Sequence, residues 1–268
     1  MIRLVAIDID GTLLNDQHEI TEEVKRAIGE AKKRDIKIVL CTGRPLDGIH
    51  QSLAELGLLR EGDVAVTMNG AMTLETKTKR VVADQALNKT ELEEIFEFCD
   101  AHSAHVTYFD AEKMYVPHRE ISILTARDSL LLNMPLYSQL VSEASEAIRI
   151  PKVMLLDEPE KIEEVMVALT GELKERYYIV RSVPYNLEFL HKNVSKGAAL
   201  QALSEKWEIL PSEVMCLGDA ENDVSMFEFA GVPVAMGNAT EKIKSLARYI
   251  TKTNNEDGVA HALRTWGF

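Results

Sequence analysis

Hydrophobic positions along this chain follow two rhythms. Short apolar runs alternate with stretches in which an apolar residue recurs every three or four positions, a pattern that predicts strands separated by helices. The first run is 4–7, Leu-Val-Ala-Ile. Ile20, Val24, Ala27, Ile28 and Ala31 then keep a helical period, and 36–41 is the next apolar run. Pro45 fits the first position of a helix carrying Leu46, Ile49, Leu53 and Leu56 on one face, with Gly57 as its stop. Residues 64–67 read as a third strand, and Asn69-Gly70 signals a turn into a hairpin.

The same rhythm returns late in the chain. A strand is expected over 214–217, a helix over 222–230, a strand over 232–236, further elements through Ile250 and a short helix over 259–263. The middle differs. It shows helical stretches near 90–101 and 159–170, and strand patterns near 104–109, 113–117, 152–157 and 177–181. The βαβ rhythm of the two ends predicts an α/β fold, a parallel sheet covered by helices. The middle reads as an inserted α+β module. The expected boundaries are 1–82 and 188–268 for the sheet domain, and 83–187 for the insertion.

A length of 268 residues suits two compact units or one large one. The formal charge of -13, with no basic cluster, makes nucleic acid an unsuitable partner. No apolar run approaches a membrane span, so no membrane partner is expected either. The first acid comes too early for a secretory leader, and Cys41, Cys99 and Cys216 lack metal spacing. They read as reduced core thiols, and the expected location is the cytoplasm.

Chemistry concentrates at strand ends. Asp8-Ile9-Asp10-Gly11-Thr12 follows the first run directly. Carboxylates two apart on an extended strand converge, and like charges a few ångströms apart resist full ionisation. A divalent cation removes that conflict, leaving one carboxylate to attack an electrophile and the other to move a proton. Gly11 permits a tight turn whose amides near Ile9 and Asp10 face an anion. Thr42-Gly43-Arg44-Pro45 offers a hydroxyl and an open amide at a helix start, where anions are favoured; Arg44 reads equally as anion ligand or solvated side chain. Lys196 sits at another helix start, against the macrodipole, unless it neutralises phosphate and Asp8; alone it would read as a surface lysine. Gly218-Asp219-Ala220-Glu221-Asn222-Asp223 places three acids at a strand end, as a hard cation with oxygen ligands requires. Calcium-loop readings fail, because Leu13 and Val224 occupy the positions where the sharp turn needs glycine.

In this order the four motifs resemble the haloacid dehalogenase-like (HAD) phosphohydrolase superfamily. The long segment between the second and third motifs is similar to the C2-type cap of its Cof subfamily, as are Pro184-Tyr185-Asn186-Leu187-Glu188, Val194-Ser195-Lys196-Gly197 and Glu256-Asp257-Gly258-Val259. The resemblance implies a Rossmann-like core and a Mg²⁺-dependent phosphatase working through an aspartyl phosphate. Carried onto this chain, it makes Asp8 nucleophile and metal ligand. Asp10 becomes general acid/base, giving its backbone carbonyl to the metal. Asp219 is then a direct metal ligand and Asp223 one bound through water. The Ile9 amide, Thr42, Gly43, Lys196 and Asn222 would hold phosphoryl oxygens. Retention of Asp10 favours phosphoryl transfer over dehalogenation.

Sugar phosphates and related small monoesters are the expected substrates. A phosphorylated cofactor such as flavin mononucleotide or pyridoxal phosphate, or phosphomutase activity, is the alternative. A phosphate-storing receiver domain pairs its acids side by side and is about half as long, which leaves the insertion without a role. A retired, non-catalytic core does not fit a chain in which no required side chain is missing. His102 and His105 lack a third ligand nearby and read as surface residues; Trp207 and Trp266 read as packing residues. Monomer and homodimer are both compatible with the sequence.

Overall fold

A computed structural model describes residues 1–181 and 183–268. It resolves two compact units: Met1–Ala83 with Ser195–Phe268, and Asp84–Val194. The chain opens with β1 (Leu4–Ile7), α1 (Glu22–Lys32), β2 (Lys37–Cys41), α2 (His50–Glu55), β3 (Val64–Thr67), β4 (Met72–Glu75) and β5 (Val81–Asp84). Next come α3 (Lys89–Ala101), β6 (Val106–Phe109), β7 (Met114–Val116), α4 (Ile123–Leu132), β8 (Leu136–Ser138) and β9 (Val153–Leu156). The second unit closes with α5 (Pro159–Ala168), α6 (Gly171–Arg176), β10 (Tyr177–Val180) and β11 (Asn186–His191). The chain returns through α7 (Lys196–Lys206), β12 (Val214–Gly218), α8 (Val224–Phe229), β13 (Val232–Ala235), α9 (Glu241–Leu246), β14 (Tyr249–Ile250) and α10 (Gly258–Ala262).

The first unit is built on an eight-stranded sheet in the order β14-β13-β12-β1-β2-β3-β4-β5. Strands from β14 to β3 run parallel, and β4 turns back antiparallel on β3. β1 lies between β12 and β2, with Leu4 in register with both Val214 and Lys37. Every residue of β1 is fully buried, as expected for parallel strands covered on both faces, which read as continuous apolar runs. α1 begins where Thr21 caps the Val24 amide, and its acids Glu22 and Glu23 suit the positive end of the helix dipole. Because β1, β2 and β12 are parallel, their carboxyl ends share one edge. All four motifs lie on that edge or at the helix starts beside it.

The second unit carries a six-stranded sheet, β10-β11-β9-β6-β7-β8, antiparallel except for β7 with β8. Leu92, Ile95 and Cys99 of α3 and Ile162 and Val165 of α5 pack on Val106, Tyr108, Val153, Leu155, Leu187 and Phe189. α3 starts in a capping box between Asn88 and Glu91.

Several expectations are corrected. Segment 188–194 belongs to the second unit, because β11 runs to His191 and pairs with both β9 and β10. Asn186 and Glu188 are buried in that strand, so its polar alternation gave no sign of an interior position. Pro45 does not open the helix. A 3-10 turn spans Asp47–Ile49, with Gly48 and Ile49 bonding back three residues, and α2 starts only at His50. Gly57, at φ +62°, does end it. A 3-10 turn over Glu221–Asp223 likewise precedes the shorter α8. The pattern missed α4, which exposes Ile123 (80%) and Leu130 (83%) and so has no single apolar face. It also missed β5, β8 and α6. The cysteines are free and buried, and among the described residues no helix is long and apolar enough to cross a membrane.

Candidate active site

The site begins where β1 stops. The Asp8 amide donates to the Leu217 carbonyl at 3.0 Å, extending the ladder one residue beyond the strand. Asp10 then stays extended, and Gly11 turns the chain at φ +78°. A Cβ there would stand 2.5 Å from Oδ2 of Asp219, so only glycine lets the first and fourth motifs approach this closely. The Thr12 hydroxyl donates to Asp219 Oδ1 at 3.0 Å. Asn238 Nδ2 donates to the Gly11 carbonyl (2.8 Å) and Asn254 Nδ2 to the Leu14 carbonyl (3.0 Å), fastening the loop from its far side.

Lys196, which would pass for a surface residue, is 0% exposed. Its ammonium donates to Asp8 Oδ1 at 2.6 Å and to Asp223 Oδ1 at 2.7 Å. Asp223 is also fully buried, and its other oxygen accepts from the Asp219 and Ala220 amides at 3.0 and 3.1 Å. α7 and α8 can bring these groups together only because Gly197 lies where a Cβ would strike the Ser225 carbonyl at 2.2 Å. Burial, then the Asp223 charge, pushes the Asp8 carboxyl well above the usual range, against the pull of Lys196. Burial and then Asp223 push Asp219 up to about 6. For Lys196, burial works downward, but Asp223 and Asp8 outweigh it and hold the ammonium above the usual lysine range.

The other side of the site is more open. Arg44 grips the Asp10 carboxylate through two bonds, Nε to Oδ2 at 2.9 Å and Nη2 to Oδ1 at 2.5 Å. Their side chains are 29% and 51% exposed. Thr42 is buried, and its hydroxyl oxygen accepts from the Arg44 amide at 3.1 Å, leaving the hydroxyl hydrogen as what it can offer an anion. Gly43 lies beside the Asn69 amide group, and Asn222 Nδ2 donates to Asn69 Oδ1 at 3.1 Å. The Ile9 side chain is buried in the core.

Oxygen atoms of Asp8, Asp219 and Asp223 lie within 4.8 Å of one another. Three carboxylates face one ammonium, so the group carries excess negative charge in a buried setting. An all-oxygen donor set of this kind suits a hard divalent cation. Asp8 and Asp219 are the better placed to hold one, since both Asp223 oxygens are already bonded. The Asp10 side chain stands apart from this group, on Arg44.

A family model for haloacid dehalogenase-like hydrolases matches residues 5–263. The chain belongs to that family. HAD-like relatives match it nearly end to end. The Bacillus subtilis (strain 168) protein named "Putative phosphatase YxeH" is 42% identical over 263 residues, covering 98% of this chain and 97% of the relative. The 5-amino-6-(5-phospho-D-ribitylamino)uracil phosphatase YcsE of the same organism is 32% identical, covering 99% and 96%. The solved structure of the HAD subclass IIB sugar phosphatase BT4131 superposes with a TM-score of 0.81 at 26% identity, covering 99% of each chain.

Several residues of this HAD-like site escaped the sequence reading. Thr12 stands inside the first motif and carries a hydroxyl, a signal that was available. Asn69 was legible only as a turn residue. Asn238, Asn254 and Ser225 gave no local sign, because their partners are distant in sequence.

Proposed function

We propose that this HAD-like hydrolase is a phosphatase that cleaves phosphate monoesters of polyhydroxylated carbon chains, sugar phosphates foremost, with Mg²⁺ as cofactor. The observation that carries the reading is the buried Asp8 carboxylate at the end of β1, held by Lys196 beside Asp219 and Asp223. Asp8 attacks phosphorus as the ester oxygen departs, giving an aspartyl phosphate; water then attacks that phosphorus, releasing inorganic phosphate and restoring Asp8. Asp10 gives its proton to the departing alkoxide and takes one from the attacking water, catalysis worth about 10²–10⁴-fold. Lys196, Thr42, the Gly43 amide and Asn222 hold phosphoryl oxygens, since such transfer depends mainly on position and charge. Magnesium, when bound, offsets the charge of the acids and of the phosphoryl group. Asp8 and Asp219 would hold it.

The substrate class draws support from two relatives: a sugar phosphatase, and a phosphatase of a phosphorylated ribityl chain. The sequence over its whole length also resembles the bacterial sugar phosphatase YidA. The unit Asp84–Val194 would act as the cap that selects the leaving group, and a homodimer or monomer in the cytoplasm is the working assembly. The net charge of -13 acts weakly at the site, because surface charge is screened beyond roughly 8 Å at physiological salt.

A panel of esters tests this: hexose 6-phosphates, erythrose 4-phosphate, ribityl phosphates, flavin mononucleotide and pyridoxal phosphate, each with magnesium. Release of inorganic phosphate from the polyol esters is expected, vanishing in excess chelator and in Asp8→Asn. Full turnover in Asp8→Asn would remove the nucleophile, and preference for the cofactors would move the substrate class to the alternative. Conversion to an isomeric phosphate would make it a mutase.

A further inference from the structure

The turn between β3 and β4 holds an unusual backbone. Met68, Asn69 and Gly70 take φ of +50°, +56° and +100° in succession, and all three are buried. Two adjacent non-glycine residues in the left-handed region are costly, and such strain persists only where the surroundings impose it. Here three motifs do. The Asn69 amide donates to the Thr42 carbonyl at 2.9 Å, and the Met68 amide donates to the Arg44 carbonyl at 3.1 Å. Gly70 lies where a Cβ would meet the Ser195 carbonyl at 2.2 Å, one residue before Lys196. The side chain of Asn69 reaches the fourth motif through Asn222.

We infer that Asn69 is a positioning residue, which sets the orientation of the Asn222 amide so that its nitrogen, not its oxygen, faces the phosphoryl group. The assignment rests on the phosphatase reading and names a residue outside the four motifs. The chemistry is that of a side-chain amide with two unlike ends. Asn222 can rotate to present either a donor or an acceptor, and an acceptor facing a phosphate oxygen repels it. Asn69 Oδ1 can only accept. By taking one hydrogen of Asn222 Nδ2 it holds the nitrogen on the site side, and the second hydrogen remains for the anion. Gly43 supports the same arrangement: a Cβ there would sit 3.1 Å from Asn69 Oδ1 and 3.2 Å from Nδ2, so glycine leaves Asn69 its place. The strained turn thereby ties the donors of the second and fourth motifs into one cradle.

Binding of inorganic phosphate in the presence of magnesium, measured by calorimetry, tests this without relying on any one ester. Asn69→Gly is the informative variant, because glycine adopts a positive φ freely and removes only the side chain. Asn69→Gly and Asn222→Ala should each weaken phosphate binding by about 10-fold to 100-fold, with kcat/KM for a cleaved ester falling in parallel. The double variant should be no worse than either single one, since Asn69 acts through Asn222. Melting of Asn69→Gly should stay near that of the unmodified chain; a residue with a merely structural role would lower it and add to Asn222→Ala. Phosphate affinity of Asn69→Gly within about twofold of the unmodified chain, or additive losses, would overturn the assignment. If Asn69→Gly melts below the assay temperature, Asn69→Asp keeps the acceptor and tolerates the backbone; in that background Asn222→Ala must still weaken binding, and a null effect there refutes the idea. No phosphate binding by the unmodified chain would sink the phosphatase reading itself, whereas binding indifferent to Asn69 sinks only this inference.

Discussion

Asp8 and Asp10 are two residues apart on one loop, yet they sit in opposite surroundings. Asp8 is 5% exposed and locked to a fully buried lysine, with its proton affinity raised by burial and by Asp223. The side chain of Asp10 is 51% exposed and held by an arginine that is itself partly in solvent. Interactions at the buried end act through a poorly screening interior, so geometry and charge are fixed before substrate arrives. At the open end the ion pair is screened and its partners can exchange. A nucleophile benefits from the first environment. A group that must reach a departing alkoxide and then a water needs the second. On the proposed mechanism, the loop divides its work by depth.

Substitutions should expose that division; beyond the loss of turnover expected of Asp8→Asn, the largest effect belongs at the open end. Asp10→Asn should slow hydrolysis of alkyl phosphates by about 10²–10⁴-fold while sparing p-nitrophenyl phosphate, whose leaving group needs little protonation. Equal losses in steady-state assays on both esters would mean that Asp10 is not the acid. At the buried end, Lys196→Met leaves the Asp8 and Asp223 carboxylates without their cation in a largely buried setting. We expect turnover to fall about 10²–10³-fold, and chemical denaturation without magnesium to show a loss of about 3–5 kcal/mol. A variant as stable as the unmodified chain would show that the ammonium does not hold the cluster together.

Magnesium sharpens the contrast in another way. In the metal-free protein Asp219 takes up a proton as pH falls through about 6. The cation needs the ionised form, so binding below that pH must displace a proton. Affinity should weaken as pH falls through about 6, by about tenfold per pH unit for the proton displaced from Asp219, with any proton held on Asp8 adding to the slope. Titrations at several pH values read this directly, and an affinity constant from pH 7 to 5 would exclude Asp219 as a ligand. The smallest effect should come from Arg44→Ala. Its pair with Asp10 is exposed, and such pairs contribute about 0–1 kcal/mol, so the melting curve should barely move. A loss as large as that of Lys196→Met would erase the distinction between the two ends.

Much of this was readable in advance, and the reasons are specific. β1, β2, β3 and β12 are buried on both faces, so they appear as unbroken apolar runs. The motifs follow those runs directly, which puts Asp8, Thr42 and Asp219 at strand ends. The second unit was harder. α4 mixes exposed leucines with Arg127, Asp128 and a buried Thr125, so it shows no apolar stripe, and β11 buries Asn186 and Glu188 where alternation suggests solvent. The pattern therefore ends the second unit at 187, short of Val194 where it ends.

The order of residues alone determined the alternation of strands and helices, the four motifs and the glycine at position 11 that the first turn demands. Local preferences and periodicity act over a few neighbours, so they are written into short segments. Tertiary structure decided that Lys196 is buried rather than solvated, that Arg44 takes Asp10, and that Asn69, Asn238 and Asn254 belong to the site. Those outcomes depend on parallel strands aligning their carboxyl ends and on three close backbone approaches, at Gly11, Gly70 and Gly197. Contacts between residues far apart in sequence exist only once the sheet has closed.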